Sequence, residues 1–428
     1  MSIRFVGQTT DSRYHKEMTF LRLSQDMMTV GSTYSTQDMY PSGRRFLLIF
    51  SVCAAWALIS WAPVYKYLAH GKATAALLLS VLFIAVGMHW LDRLNQQQRQ
   101  ISAGSLVLLF LILSAAFAVL YPISLKHTLN VGSDREDALR IELHAVHHHQ
   151  YPYDARTFLG NAPTPLPGAM LLAEPFFAVG HIAGQNFLWL ALFFCFTICF
   201  FRRRATALFF LAVFLLLAPA DLSDFTSGGD YLTNFFYVAI AVALFIRSLD
   251  RTFYACIPAA LFLGVTVSSR IIYAVILIPL LALTLQRTSR SRAIAVFVIV
   301  LIAAAAVTLP VFAPHALTHL EQQLSQNAIK LRFIPSVLHP RWTLPLLAVM
   351  VACTTFFVRM NLPRLLLNFS ITSFVMLAPF VVTFALHSEK LRYNFSYLSV
   401  CALSLSLWAL SRYECLSMGT PHCPRSGS

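Results

Sequence analysis

The chain has 428 residues, of which 57% are hydrophobic and only 12% are charged, and its formal net charge is +14. This composition excludes a soluble globular domain and indicates a polytopic membrane protein. In such a protein an excess of lysine and arginine reports orientation rather than nucleic-acid binding, so we expect no nucleic-acid partner.

The N-terminal 45 residues are polar and lack the basic, apolar and small-residue pattern of a cleavable signal peptide. We interpret residues 1–45 as a flexible cytoplasmic N-terminal segment and assign it no role.

Three apolar runs follow, near 46–65, 73–91 and 104–125, and each is long enough to cross about 30 Å of hydrocarbon. They predict that residues 46–125 form the first three transmembrane helices.

A long polar loop, residues 126–185, follows the third span and carries three carboxylates in four residues, Asp134, Glu136 and Asp137. Acidic groups at the rim of a membrane are costly to desolvate, so such a cluster either stays hydrated or handles a cation or a proton. The alternative is a solvated first turn of a helix, because carboxylates are favourable at helix starts.

The next stretch of this loop, residues 137–149, is compatible with a helix that has one apolar stripe. We predict an amphipathic helix that lies on the outer leaflet. His144, His147 and His148 fall on one face of this helix, at a spacing typical of metal ligands. The alternative is an interfacial face that holds no metal.

A shorter apolar segment, Leu166 to Gly180, closes the loop and contains Pro167, Glu174 and Pro175. Runs of this length more often re-enter the membrane or lie at its interface than cross it. A full crossing would also move the later basic loops away from the side of the N-terminus. We therefore predict a half-helix that dips back into the membrane.

The rest of the chain contains nine further apolar runs, near 186–201, 205–220, 232–247, 253–268, 271–286, 293–312, 343–358, 365–386 and 395–411. They predict central transmembrane helices within residues 186–312 and the last three within 343–411. An external loop, residues 313–342, separates the two sets, and its middle, 317–331, is compatible with a helix. Residues 412–428 form the predicted cytoplasmic tail.

Charge sets the orientation of these spans, because the short loops near 201–205, 247–251, 287–292 and 359–364 are almost purely basic. By the positive-inside rule, these loops and both termini are cytoplasmic, and the acidic loops face outside. The prediction is an all-α polytopic membrane protein with about 12 transmembrane helices plus a re-entrant or interfacial half-helix. We expect an integral protein of a bacterial inner (cell) membrane.

Four stretches together resemble the GT-C superfamily of integral-membrane glycosyltransferases. In the first, an acidic residue outside a span is followed by an interfacial helix, a "PY" turn and "PLPGAMLLAEPF". The others are "SGGDYLTNFFYVAIAVALFIRS", "AALFLGVTVSSRIIYAVILIPLLAL" and "SEKLRYNFSYL". The resemblance covers residues 129–410 as a pattern. Two spans precede its usual start, and many members carry Gly-Gln in place of Gly229-Asp230 and Lys in place of Arg270.

The resemblance implies a glycosyltransferase that moves a sugar from a polyprenyl-phosphate-linked donor to a lipid, glycan or protein acceptor at the outer face. Residues 126–185 would be its external catalytic loop, with a loop carboxylate as general base. We favour Asp134 over Asp137 because it is nearer the membrane exit, and Glu136 is the third candidate. Some members of the superfamily require a divalent cation, such as Mg or Mn, and others do not.

The leaving phosphate of such a reaction needs cationic partners. The predicted phosphate-binding residues lie on the external face and are Arg270, Lys390 and Arg392, with Arg332 and Arg341 behind them. The predicted substrate pocket contains polar and aromatic residues near the loop, namely Tyr151, Tyr153, Asn161 and Asp230.

Structural roles are the alternatives for these residues. Arg270 could extend to the lipid headgroups at the end of a span. Lys390 and Arg392 could form a salt-bridge cluster with Glu389, and Asp230 could cap the following helix.

A different class of protein, a polytopic transporter or flippase for a lipid-linked glycan, is the alternative function. Such proteins usually show internal repeats and charges inside their spans. The sequence shows no repeat, and Arg270 is the nearest to a charge within a span. A third hypothesis is a non-catalytic assembly partner that has kept the fold. Membrane lipids surround the chain under all three hypotheses.

Overall fold

The computed structural model describes residues 42–126, 134–313, 331–387 and 395–418. Contacts between residues divide the chain after Arg44, and the architecture described here is that of residues 45–428. Lys390 and Arg392, and most of the helix predicted for 317–331, lie outside the described residues.

Every regular element among the described residues is helical. The α-helices are α1 (Ser42–Tyr67), α2 (His70–Gln96), α3 (Ala103–Ser124), α4 (Arg135–His147), α5 (Pro167–Ala178), α6 (Gln185–Phe200), α7 (Arg204–Leu211), α8 (Pro219–Thr226), α9 (Tyr231–Ser248), α10 (Phe253–Val267), α11 (Leu277–Arg287), α12 (Arg290–Phe312), α13 (Pro340–Cys353), α14 (Leu362–His387) and α15 (Ser399–Ser417). Short 3₁₀ turns precede α6, α11, α13 and α15. The predicted all-helical class is confirmed.

Eight helices in the described ranges are long and apolar enough to cross a membrane, or nine if a bent pair counts as one span. The bent pair is Arg204–Leu216 with Pro219–Thr226, and its halves meet at 74°. The chain is therefore an integral membrane protein by the length and composition of its helices. The predicted count of twelve stays a prediction.

Three of the predicted spans are shorter or less apolar than a full crossing requires. The run predicted at 253–268 forms α10, and the run at 271–286 begins with a 3₁₀ turn, Ile271–Ile276, before α11. The run at 395–411 forms a 3₁₀ turn and α15, whose serines lower its hydropathy. Hydropathy alone locates these helices but does not show where the backbone changes from one helix type to another.

The centre and the rim of the bundle can be distinguished by burial. In α9, 78% of the apolar window lies inside the protein, against 22% in α2, α3, α12 and α13.

Close packing against α9 and its neighbours depends partly on small residues. A Cβ added at Gly264 in α10 would meet the backbone carbonyl of Val300 in α12, so glycine permits these two helices to approach. The site described below surrounds the N-terminal end of α9.

Candidate functional site

The loop after α3 is folded and packed. Helix α4 occupies much of the stretch predicted as an amphipathic helix, and it buries Leu139 and Leu143 against Tyr153 and against Met170 of α5. Helix α5 has 12 residues, or about 18 Å, so it is too short to cross the bilayer alone. The loop is therefore a rigid support that can fix the positions of its polar side chains.

The favoured carboxylate, Asp134, immediately precedes α4 and is half-buried. Its Oδ2 atom accepts hydrogen bonds from Thr157 Oγ1 at 2.9 Å and from Asn161 Nδ2 at 2.7 Å. Two of the residues predicted for the site, Asp134 and Asn161, are therefore in direct contact. These two contacts hold the Asp134 side chain in one orientation.

The other two carboxylates of the cluster have different surroundings. Glu136 is only 3% exposed, accepts a hydrogen bond from Tyr121 Oη at 2.7 Å and pairs with Arg140. Gly228 passes so close that an added Cβ would lie 2.6 Å from Glu136 Oε2, which leaves this group no room for a substrate. Asp137 is half-buried and accepts a hydrogen bond from the backbone nitrogen of Phe158 at 2.9 Å.

A buried ion pair lies between the start of α9 and the segment that follows α10. Arg270 Nη2 contacts both carboxylate oxygens of Asp230, at 2.6 and 2.8 Å, and Nη1 donates to Thr164 Oγ1 at 3.1 Å. The guanidinium also lies 5.2 Å from the ring centroid of Tyr231. Arg270 is thus held inside the protein rather than extended toward lipid headgroups. The Asp230 side chain does not cap α9, since Asp224 accepts a hydrogen bond from Leu232 N at 2.7 Å.

A second buried ion pair, which the sequence did not indicate, joins the loop to the bundle. Arg135 at the start of α4 pairs with Asp224 of α8 and donates to Ser396 Oγ at 2.9 Å. Asp224 is 3% exposed, so its charge depends on this arginine. The pair fixes α4 against the elements that lead into α9 and α15.

Glu142 is a further functional candidate that sequence reasoning missed. It lies on the buried face of α4 with no exposed surface, and neither carboxylate oxygen has a hydrogen-bond partner among the described residues. Burial raises the pKa of Glu142 well above its usual range, the Asp230 charge raises it further, and Arg270 opposes the shift. A carboxylate on the apolar stripe between Leu139 and Leu143 was the signal that could have identified it.

The two predicted pocket tyrosines are buried. Tyr153 is completely buried, donates to the carbonyl of Pro165 at 3.1 Å and stacks on Phe312 with ring centroids 5.5 Å apart. Tyr151 packs edge to face against Tyr153. They form the floor of the loop, and burial there is the main cause that raises the pKa of Tyr153.

The remaining predicted phosphate-binding residues that are described, Arg332 and Arg341, are not brought to Arg270. Arg332 lies over the rings of Phe333 and Phe384, at 4.6 and 5.3 Å. Arg341 is exposed in the first turn of α13. Among the described residues, Arg270 is therefore the one predicted phosphate-binding cation at the centre of the site.

The predicted histidine ligands are exposed and point to different partners. His147 Nε2 lies 2.7 Å from Glu174 Oε1, while the rings of His144 and His148 are tilted by 41° with centroids 4.4 Å apart. In the parts of the chain that the structure describes, no three His, Cys, Asp or Glu side chains form a group that could hold a metal ion. The three predicted histidines therefore do not form a preformed metal centre among the described residues.

Comparison with known proteins gives no match to a family model, a curated protein or a solved structure. The fold and site define an all-helical membrane protein in which a structured loop covers two buried ion pairs and a buried carboxyl group. The GT-C superfamily stays a resemblance of sequence pattern.

Proposed function

We propose that the chain is a membrane glycosyltransferase that transfers a sugar from a polyprenyl-phosphate-linked donor to a lipid, glycan or protein acceptor, with Asp134 as the general base. The observation that supports this best is the Asp134 carboxylate. Both of its hydrogen bonds reach Oδ2, while Oδ1 has no partner among the described residues. A carboxylate held at one oxygen and free at the other is suited to accept a proton from a bound hydroxyl.

In the proposed reaction, the acceptor oxygen bonds to the anomeric carbon of the sugar as the bond from that carbon to the phosphate oxygen breaks. The hydroxyl proton moves to Asp134, and the polyprenyl phosphate leaves with the electron pair. Negative charge grows on the leaving phosphate in an oxocarbenium-like transition state. Because Asp230 neutralises Arg270, we expect further cations from Lys390 and Arg392, which are outside the described residues.

The proposal includes a GT-C-like fold with twelve spans in a bacterial inner (cell) membrane. Both termini are then cytoplasmic, and the loop faces the outer leaflet, where the donor headgroup lies. Glu136 and Asp137 act as positioning residues. The short connection between α3 and α4 keeps the base at the membrane surface, as a lipid-linked donor requires.

Sugar transfer by the purified chain in proteoliposomes, offered a panel of polyprenyl-phosphate sugars, tests the proposal. We expect Asp134→Asn to lower transfer by about 10²- to 10⁴-fold, the range for loss of a general base. Asp154→Asn, at an exposed aspartate of the same loop, is the matched control and should retain activity. Full transfer by the Asp134→Asn protein would exclude this base.

Glu142 favours one second candidate, a transporter or flippase for a lipid-linked glycan, because ionisable groups buried in membrane proteins often lie on proton pathways. Translocation of a labelled lipid-linked glycan can be measured in the same proteoliposomes with and without a proton gradient. Gradient-driven translocation that Glu142→Gln abolishes, without sugar transfer, would identify a transporter. Binding of the glycan with neither activity would identify an assembly partner.

A further inference from the structure

A cavity of about 530 Å³ lies between α9 and α10, near the loop 249–252 that joins them. It is lined by two arginines, Arg247 and Arg251, and by apolar side chains that include Leu244, Pro258 and Phe262. We call this cavity the basic groove. Its volume falls in the range of about 300–1,000 Å³ that is typical of ligand pockets.

The two arginines of the basic groove have no counterion among the described residues, and no carboxylate lines the cavity. Asp250, in the same loop, approaches Arg287 at 3.8 Å instead. Arg292 adds a third positive charge, because its Nη2 atom donates to the backbone oxygen of Arg251 and lies 3.1 Å from Cys256 Sγ. The groove is therefore strongly electropositive and suited to an anion.

The basic groove opens on the side of the bundle that faces lipid. Leu244 at its edge is 50% exposed, and Leu261 on the neighbouring face of α10 is 44% exposed. Tyr254, which is 80% exposed, lies in the first turn of α10, where a tyrosine is typical of the headgroup level of a membrane. An anion at the arginines could thus be attached to a hydrocarbon chain that runs along the two helices.

We propose that the basic groove binds an anionic phospholipid, with the phosphate at Arg247 and Arg251 and an acyl chain beside Leu244 and Phe262. The planar guanidinium matches phosphate oxygens in a bidentate arrangement, and basic pockets between transmembrane helices bind anionic lipid headgroups in other proteins. This site is independent of sugar transfer. Arg270 follows the opposite end of α10, about 22 Å of helix away.

Native mass spectrometry of the full-length protein in detergent, titrated with phosphatidylglycerol or phosphatidylcholine, tests the proposal. We expect tighter binding of phosphatidylglycerol. Arg247→Gln and Arg251→Gln should each weaken it about fivefold, since one basic group near an anionic lipid contributes about 1 kcal/mol. Arg290→Gln removes an exposed arginine of the start of α12, outside the groove, and should leave binding unchanged.

Two further experiments distinguish a specific lipid site from nonspecific attraction of anions to surface charge. Ala259→Trp fills the groove while both arginines remain, and it should also weaken phosphatidylglycerol binding. Inorganic phosphate should not compete, because it lacks an acyl chain. Equal binding of the two lipids, an equal loss in Arg290→Gln, or displacement by inorganic phosphate would each overturn the proposal. Thermal unfolding checks that each variant is folded, and we expect no lower melting temperature when an exposed arginine is replaced.

Discussion

Glu142 is an ionisable residue in a buried environment that offers its carboxyl group no hydrogen-bond partner among the described residues. It is fully buried, and burial followed by the Asp230 charge raises its pKa well above the usual range despite the nearby Arg270. A buried carboxyl group with a raised pKa binds a proton in the folded protein under conditions where the unfolded chain has lost it. The raised pKa favours the protonated form of Glu142, which can donate a hydrogen bond or release a proton inside the site.

This protonation makes the stability contributed by Glu142 dependent on pH. The stability is fully present below the unfolded pKa of about 4.3 and is lost as the pH rises through the raised folded pKa. Glu142→Gln mimics the protonated form, so its melting temperature should exceed that of the wild-type protein by a margin that grows with pH. Thermal unfolding across this pH range measures the margin, and Asp154→Asn should show none. A margin that shrinks with pH would contradict a protonated Glu142.

The Asp230–Arg270 pair leads to a prediction about stability. Asp230→Asn leaves Arg270 buried without its counterion and should lower the free energy of unfolding by about 3–5 kcal/mol. Adding Arg270→Gln to that variant should recover part of the loss, because no uncompensated charge remains. Denaturation of the two single variants and the double variant provides the measurement. Independent, additive losses would mean that the two side chains do not interact.

A site residue could be predicted when the residues that interact with it lie close to it in the sequence. Asp134 and Asn161 lie in one loop, and the structure joins them directly. Asp230 and Arg270 were both named, although as a pocket residue and a phosphate ligand rather than as each other's partner. Glu142 was missed because its significance depends on residues far along the chain that only the packed helices bring near.

At the scale of elements, the loop is fixed by the contact between the segment before α5 and the end of α10. Leu166 N donates to Ser269 O at 2.9 Å and Gly168 N to Ser268 O at 3.3 Å. The predicted helices at 137–149 and 166–180 correspond to α4 and α5, because helical periodicity and proline are local signals. The bend between Leu216 and Pro219 was not predicted, because hydropathy does not show where a helix is interrupted.

Gly168 is the position where this contact can be tested. A Cβ there would collide with the carbonyl of Val265 and with Ser268, and backbone atoms cannot move aside easily. Gly168→Ala should therefore destabilise the protein by about 1–3 kcal/mol and reduce transfer through a displaced loop. Gly71→Ala, with nothing within 4 Å in α2, is the matched control and should be neutral or slightly stabilising. Equal melting temperatures for the two variants would contradict the contact.

At the scale of the whole molecule, composition was sufficient to predict an all-helical membrane protein, and the structure confirms that class. The number of crossings was harder to predict, because α10 and α11 are shorter than a full crossing and α15 is a largely buried helix that contains polar side chains. Burial within a bundle permits polar side chains that exposure to lipid would not, so the apolar signal weakens where packing is greatest.

The predicted topology can be measured with reporter fusions. Twelve crossings and the basic loops predict that both termini share the cytoplasmic side. Alkaline phosphatase fused after residue 428 should be inactive, whereas the same enzyme inserted in the external loop 313–342 should be active. A fluorescent protein at the C-terminus is the reciprocal control. An active phosphatase at the C-terminus would contradict the predicted cytoplasmic C-terminus.

The buried acidic helix α8 also constrains how the chain is made. Asp221 and Asp224 lie inside the finished bundle, and Asp224 needs the positive charge of Arg135, which is synthesised much earlier. Carboxylates are poorly tolerated by lipid, so α8 is a weak substrate for insertion by itself. During biosynthesis, α4 must therefore be held near the site of insertion until α8 emerges and α9 can cover it. We therefore expect this region to integrate late, as one unit, and only when the early loop has been retained nearby.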